Sequence, residues 1–259
     1  GRSVSSVGVV NDPLTYYMGT AGGGLWKTTN AGSEWFNISD DYFKTSSVGA
    51  IAVSESDSRI IYVGMGEHSP RGVTTSYGDG IYKSTDAGET WEHLGLDNTQ
   101  QVSRIIIHPD DNNIVYVAAQ GAINGPTKER GVYKSIDGGI TWKNVLFVNE
   151  LSGASELSID INNPKVLYAT MWEHQRLPWK VISGGEGSGV YKSTDGGENW
   201  FKIENGLPDE LGKLAISVSR ANSNKVYLLA ESDTNKRLGG LFVSNLSLIH
   251  ISEPTRHTD

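Results

Sequence analysis

The chain has 259 residues, 31 of them glycine, with 37% hydrophobic residues: enough for a sizeable core interrupted by many turns. A formal net charge of −8 argues against a nucleic-acid backbone as partner. No cysteine is present for disulfides, and no run of apolar residues is long enough to cross a membrane as a helix.

From the N-terminus, Val4 to Val10 reads as a strand, Asn11-Asp12-Pro13 as a turn, and Thr15 to Gly19 as a second strand centred on Tyr17. The piece Gly22-Gly23-Gly24-Leu25-Trp26-Lys27 then leads into Thr28, Asn30, Gly32 and Trp35. This series recurs. Strands are expected at Val48 to Val53 and Ile60 to Gly64, then Val102 to Ile107 and Ile114 to Ala118. Others are expected at Leu157 to Ile161 and Val166 to Thr170, and finally at Leu214 to Val218 and Lys225 to Leu229. Tyr62, Tyr116, Tyr168 and Tyr227 take the place of Tyr17.

The motif that closes each series is sharper. Ser84, Asp86, Gly88, Thr90 and Trp91 form its fullest copy, matched by Ser135, Asp137, Gly139, Thr141 and Trp142. In the copy at Ser193, Asp195, Gly197 and Trp200, Asn199 replaces the threonine; in the one at Asn30, Gly32 and Trp35, Glu34 does. Each copy, here called a box, has the composition of a turn. The Asp or Asn side chain accepts from backbone amides, Gly allows positive φ, and Trp opens the returning strand as a staple for the hairpin. A calcium loop is the weaker reading, because one carboxylate per box falls short of the oxygen ligands such a loop needs.

Strand, turn, strand, variable loop, strand, box, strand, repeated about every 50 residues, is the pattern of a β-propeller blade, and no sustained helical period competes with it. The expected fold is an all-β propeller of four-stranded antiparallel blades, incomplete at about four and a half blades and open as an arc. The units run at about 1–40, 47–95, 101–146, 154–204 and 213–245. Residues 246–259 depart from the pattern and read as a non-native, adaptor-derived tail, with a genuine edge strand at Leu248 to Ile251 as the alternative; in either case no site is sought there.

The boxes, with Gly22 to Lys27 and the Gly-x-Tyr-Lys-Ser pieces at Gly80 to Ser84, Gly131 to Ser135 and Gly189 to Ser193, resemble the Asp-box (bacterial neuraminidase repeat) superfamily. Within it the chain is similar to sortilin N-terminal propellers and to xyloglucan-degrading endoglucanases, over residues 1 to about 245. The resemblance implies a bacterial protein working extracellularly or in the periplasm, without a cofactor or metal. Xyloglucanases of this kind carry a catalytic Asp in the first blade, and the corresponding position here is Ala21. Alanine cannot transfer a proton, and glycoside hydrolysis normally needs two carboxyl groups. No catalytic residue is therefore assigned.

A ligand site is expected on the loops joining second and third strands: Gly64 to Gly80, Ala118 to Gly131, Thr170 to Gly189 and Ala230 to Gly240. Glu67-His68 and Glu173-His174 each lie five residues past the strand tyrosine, followed by Arg71 and Arg176. Together with Trp172 and Trp179 as stacking platforms, these residues could hold sugar hydroxyls or the charges of a peptide. The competing reading packs Trp172 into its blade and leaves the charges solvated or paired with one another; a metal site is the weakest of the three readings. The loops between blades carry Asp40, Asp41, Asp97, Glu150, Asp209 and Glu210, for which general solvation is the better account. The function expected is a sortilin-like propeller binding a peptide, protein or glycan. The alternative is a polysaccharide hydrolase related to xyloglucanases, with its acids elsewhere and further blades completing the chain.

Overall fold

A computed structural model describes residues 2–68, 75–232 and 238–245, and the backbone of Ile251–Ser252. The described residues are β-strands and turns, with one short 3-10 helix at Asp97–Thr99 and no α-helix. The expectation of four-stranded antiparallel blades holds.

Each blade is a meander whose strands pair in sequence order. The first sheet comprises β1 (Ser3–Val9), β2 (Asp12–Thr20), β3 (Leu25–Thr28) and β4 (Phe36–Asn37). The second has β5 (Val48–Val53), β6 (Ile61–Met65), β7 (Ile81–Ser84) and β8 (Glu92–His93). The third has β9 (Val102–Ile107), β10 (Val115–Ala119), β11 (Gly131–Ser135) and β12 (Lys143–Leu146). In the fourth, β13 (Ser152–Ile159), β14 (Leu167–Arg176), β16 (Gly189–Ser193) and β17 (Phe201–Ile203) are joined by β15 (Val181–Ser183), which pairs with β14. The fifth has β18 (Leu211–Val218), β19 (Val226–Ser232), β20 (Gly240–Ser244) and the two residues of β21 (Ile251–Ser252), paired with Val243 and Ser244. The remainder of the expected tail, residues 246–250 and 253–259, lies outside the described residues.

The chain divides into two compact units, Gly1–Ala122 with Tyr133–Asn144, and Ile123–Val132 with Val145–Asp259. Burial along the strands shows which sheet faces are covered. All five residues of β6 are buried: Ile61, Val63 and Met65 join Tyr17 and Leu25 in one cluster, while Tyr62 joins Val102, Ile105, Val115 and Val117 in another. A strand covered on both faces reads as a continuous apolar run. By contrast β19 alternates, burying Val226, Leu228 and Ala230 and exposing Tyr227 and Leu229, the pattern of a sheet covered on one face. In the second unit, Tyr168 and Val190 of the fourth sheet pack on Leu214, Ile216, Val226, Leu228 and Phe242 of the fifth.

The boxes form one turn four times over. In the second sheet the Ser84 hydroxyl donates to Asp86 Oδ1 at 2.7 Å and accepts from the Gly88 amide at 2.8 Å, while Asp86 Oδ1 accepts from the Thr90 amide at 2.9 Å. Gly88 and the residue before it, Ala87, both have positive φ (91° and 62°), and a Cβ on Gly88 would lie 2.8 Å from Ile38. The tryptophans, however, do more than staple their own hairpins. Trp91 Nε1 donates to the Ile38 carbonyl just after β4, and Trp142 Nε1 to the Leu94 carbonyl just after β8, so each of these boxes is tied to the preceding blade. Trp200 departs from this and bonds the Gly197 carbonyl of its own box.

A second tie runs the same way. Tyr17 Oη and Lys27 Nζ converge on the Ala87 carbonyl at 3.0 and 2.9 Å, and Tyr62 Oη and Lys83 Nζ converge on the Gly138 carbonyl at 2.8 and 3.0 Å. Strand register explains the pairing, since Tyr17 lies opposite Lys27, Tyr62 opposite Lys83 and Tyr168 opposite Lys192. Each ammonium also sits 5.2–5.8 Å from the centroid of its tyrosine ring. Burial pushes the Tyr17 hydroxyl up to about 12, so it stays a donor at every ordinary pH.

Candidate functional site

The two Glu-His pairs that share a register fall in different units and are built differently. In the first unit Glu67 follows β6 and is fully buried; its Oε1 lies 3.5 Å from Arg2 Nη1, and its amide donates to the Ser76 carbonyl. His68 is partly buried, and Arg71 lies outside the described residues.

In the second unit the expected variable loop from Thr170 is a strand for its first half. β14 continues to Arg176, paired with β13 as far as Ser152 opposite Glu173, and with β15 from His174 opposite Ser183 to Arg176 opposite Val181. The polar run Glu173-His174-Gln175-Arg176 lacks the apolar alternation that marks a half-buried strand, and pairing partners hold it extended. Two segments expected as loops between blades are corrected in the same way: β13 begins at Ser152 and β18 at Leu211.

Alternation along β14 sends its side chains two ways. Trp172 is 4% exposed and stacks on His174 with centroids 3.9 Å apart; its Nε1 donates to Ser183 Oγ. Ser183 Oγ in turn donates to Glu231 Oε2, which also accepts from the Lys213 amide, and Lys213 Nζ lies 5.2 Å from the Trp172 ring. Trp172 is therefore packed into its blade rather than open as a platform. His174 is buried, with Nδ1 3.0 Å from the Ile182 carbonyl. Burial first, then the charges of Arg130, Lys213 and Arg176, drive its pKa down to about 4, against the Ile182 bond, so the ring is neutral at pH 7.

Glu173 points to the other side. Its Oε2 accepts from the Gly187 amide, its own amide donates to Ser188 Oγ, and a Cβ on Gly185 would fall 2.5 Å from its carboxyl carbon. Near it sits Arg130, a residue the sequence reading did not single out. Arg130 is fully buried, with Nη2 donating to the Gly125 carbonyl. Burial lowers its pKa to about 10, opposed by the charge of Glu173, so it remains a cation. Its place directly before the Gly131-Val-Tyr-Lys-Ser piece was the only signal available.

Trp179 is the side chain most open to a ligand. Leu177 and Lys180 exchange backbone hydrogen bonds around Pro178 and Trp179, closing the β14–β15 hairpin in a tight turn with Trp179 81% exposed at its tip. Ala21, at the position where the family resemblance looks for an acid, is 6% exposed, and its carbonyl accepts from Ser47 Oγ.

Comparison with known proteins places this geometry. A xyloglucanase from Paenibacillus sp is 24% identical over 239 residues, covering 78% of this chain and 22% of its own length. A xyloglucanase from Acetivibrio thermocellus is 25% identical over 204 residues, covering 70% of this chain and 23% of its own. The chain thus spans about a fifth to a quarter of the length of these relatives. Among solved structures, an ancestral GH74 enzyme superposes with a TM-score of 0.72 at 19% identity, over 97% of this chain and 33% of that one. The GH74 enzyme of Niastella koreensis gives 0.66 at 21%, over 93% and 36%. These likenesses show a shared propeller fold. The model of the Sortilin-Vps10 family, described as sortilin, neurotensin receptor 3, matches residues 79–238. Since that match takes in more than half of the chain, the protein belongs to the Sortilin-Vps10 family.

Proposed function

We propose that this chain is the polysaccharide-binding part of a xyloglucanase-like protein working extracellularly or in the periplasm, with the acids of hydrolysis lying outside the residues described. The likeness to two xyloglucanases supports the substrate class. The observation that carries the binding role is Trp179, whose indole stands 81% exposed on a hairpin fixed by strand pairing on both sides of β14. A flat apolar face with a polar edge, carried on a backbone already held by strand pairing, suits the faces of a glucan chain. Lys180, exposed beside it, and the partly buried Arg176 offer donors for hydroxyl groups.

Calorimetric titration with xyloglucan oligosaccharides tests this reading. Trp179→Ala is expected to weaken binding at least about tenfold, in line with the loss of an aromatic anchor, while leaving the melting temperature unchanged. Equal affinity for both proteins would remove Trp179 from the site. No reducing sugar is expected from the chain alone; release abolished by Glu173→Gln or Glu67→Gln would instead place hydrolysis within it. The family match supports a second reading, a peptide on the same hairpin. Peptide binding lost in Trp179→Ala without any glycan binding would favour it.

A further inference from the structure

We propose that His174 is a positioning residue whose neutral ring fastens β15 to β14 and so holds Trp179 in place, and that protonation at Nε2 releases the hairpin and with it the ligand. The release of ligand rests on the reading of Trp179 as the contact.

The hairpin runs past the sheet that carries it. β13 pairs with β14 as far as Glu173, and from His174 to Arg176 the partner strand is β15. The amides of His174 and Arg176 donate to the Leu151 and Ile123 carbonyls, which anchors β14 independently of β15. β15 itself has three residues, with Val181 43% exposed, and among the described residues it pairs with β14 alone. Two side-chain bonds reinforce that pairing. His174 Nδ1 meets the Ile182 carbonyl at 3.0 Å, and Trp172 Nε1 donates to Ser183 Oγ at 3.1 Å. The stack of Trp172 on His174 makes the two fastenings one unit.

The protonation state of the ring decides whether this unit can stay in place. A carbonyl accepts and does not donate, so in the neutral ring Nδ1 carries the proton and Nε2 a lone pair. Nε2 is buried, with no hydrogen-bond partner among the described residues. A second proton would turn it into a buried donor without an acceptor. It would also place an imidazolium among cations from three elements: Arg130 ahead of β11, Arg176 on β14 and Lys213 on β18. The carboxylates of this region are engaged elsewhere. Glu173 turns to the other side of β14 and accepts from the Gly187 amide, and Glu231 of β19 accepts from Ser183 Oγ and the Lys213 amide. Burial first, and then the three cations, lower the pKa of His174 from 6.5 to about 4. The seated ring is therefore fully favoured above about pH 6.5, and that preference is lost as pH falls toward 4.

Hydrogen exchange of the full chain at pH 7 and pH 5, read by mass spectrometry and corrected for the intrinsic rate, tests the latch. Protection of the amides of residues 180–184 is expected to fall about tenfold at the lower pH, while that of β6 stays constant. His174→Asn, whose amide nitrogen can take the place of Nδ1 toward Ile182, should show no such fall; if it misfolds, His174→Gln replaces it. Titration with xyloglucan oligosaccharides at the same two pH values should show affinity falling about tenfold in the wild type and remaining level in the variant. Equal protection at both pH values, a fall shared by β6, or a pH dependence that survives the substitution would overturn the proposal. Hairpin protection that falls in a protein binding no oligosaccharide at pH 7 would uphold the latch and remove the glycan reading of Trp179. Oligosaccharide binding at pH 7 with no fall in protection would do the reverse.

Discussion

At the scale of single residues, the box works through complementary pairs. Asp86 with Thr90 and Asp137 with Thr141 pair a carboxylate with a hydroxyl donor, and Asp195 accepts instead from the amide of Asn199. In the first box the polarity reverses, with Asn30 Nδ2 donating to Glu34 Oε2. A copy that looks degraded as text therefore keeps its turn. Ser84 holds the most demanding position: it is 1% exposed, and its oxygen receives the amides of Asp86 and Gly88. Ser84→Ala leaves the buried Gly88 amide and the part-buried Asp86 amide without that acceptor and is expected to cost about 1–3 kcal/mol. This would appear in urea titration as a lower midpoint at unchanged slope. The turn chemistry was legible because Asp, Gly and Thr each have a local reason to be there. The roles of Trp91 and Trp142 were not, because their acceptors lie 53 and 48 residues away.

At the scale of the element, contacts between strands decide which parts of the candidate site are open. Trp172, Glu173, His174 and Arg176 were expected on a variable loop, and the pairing of β14 with β13 and β15 draws Trp172 and His174 into the blade instead. A residue pattern without apolar alternation carries no sign of this, since the stabilising partners come from segments distant in sequence. The strand tyrosines and the lysines of the Gly-x-Tyr-Lys-Ser pieces each recur in the sequence, yet neither their pairing nor their shared carbonyl acceptor was visible there. Tyr62→Phe removes one of the two donors to the Gly138 carbonyl and leaves Lys83 in place. The expected loss is about 0.5–1.5 kcal/mol, measured by denaturant titration, with near-UV circular dichroism otherwise intact. A loss above about 3 kcal/mol, the range of a core truncation, would mean that the ring and not the hydroxyl had been disturbed.

For the molecule as a whole, stability should fall with acid in two separate windows. His174 has its pKa lowered in the fold from 6.5 to about 4, chiefly by burial, so the unfolded chain binds its proton first. Its contribution is complete above about pH 6.5 and is lost as pH falls toward 4. Asp86, Asp137 and Asp195 are lowered from 3.8 to about 2, the first two mainly by the hydroxyls of Thr90 and Thr141 and the third by the Asn199 amide. Their stabilisation is present above 3.8 and is lost as pH falls through about 2. Melting temperatures recorded from pH 8 to 2 should therefore show two declines. His174→Gln should flatten the upper one and the triple Asp→Asn variant the lower one, the first box carrying Asn30 in place of the aspartate. The architecture was readable at this scale because repetition states it four times. The activity was not, since the one position at which the resemblance implies an acid holds Ala21, and a propeller scaffold serves many chemistries.

The tie between blades ends on a main-chain oxygen, at Ala87 in one case and Gly138 in the other. A carbonyl is common to every amino acid, so the accepting half of the joint asks for no particular functional group; it asks for a residue that tolerates positive φ, as Ala87 (62°) and Gly138 (74°) do. The polar side chains of the tie come from the presenting half alone, as tyrosine and lysine. The tie therefore depends on the backbone conformation of the box it meets, which the shared Asp-turn reproduces in the second and third sheets.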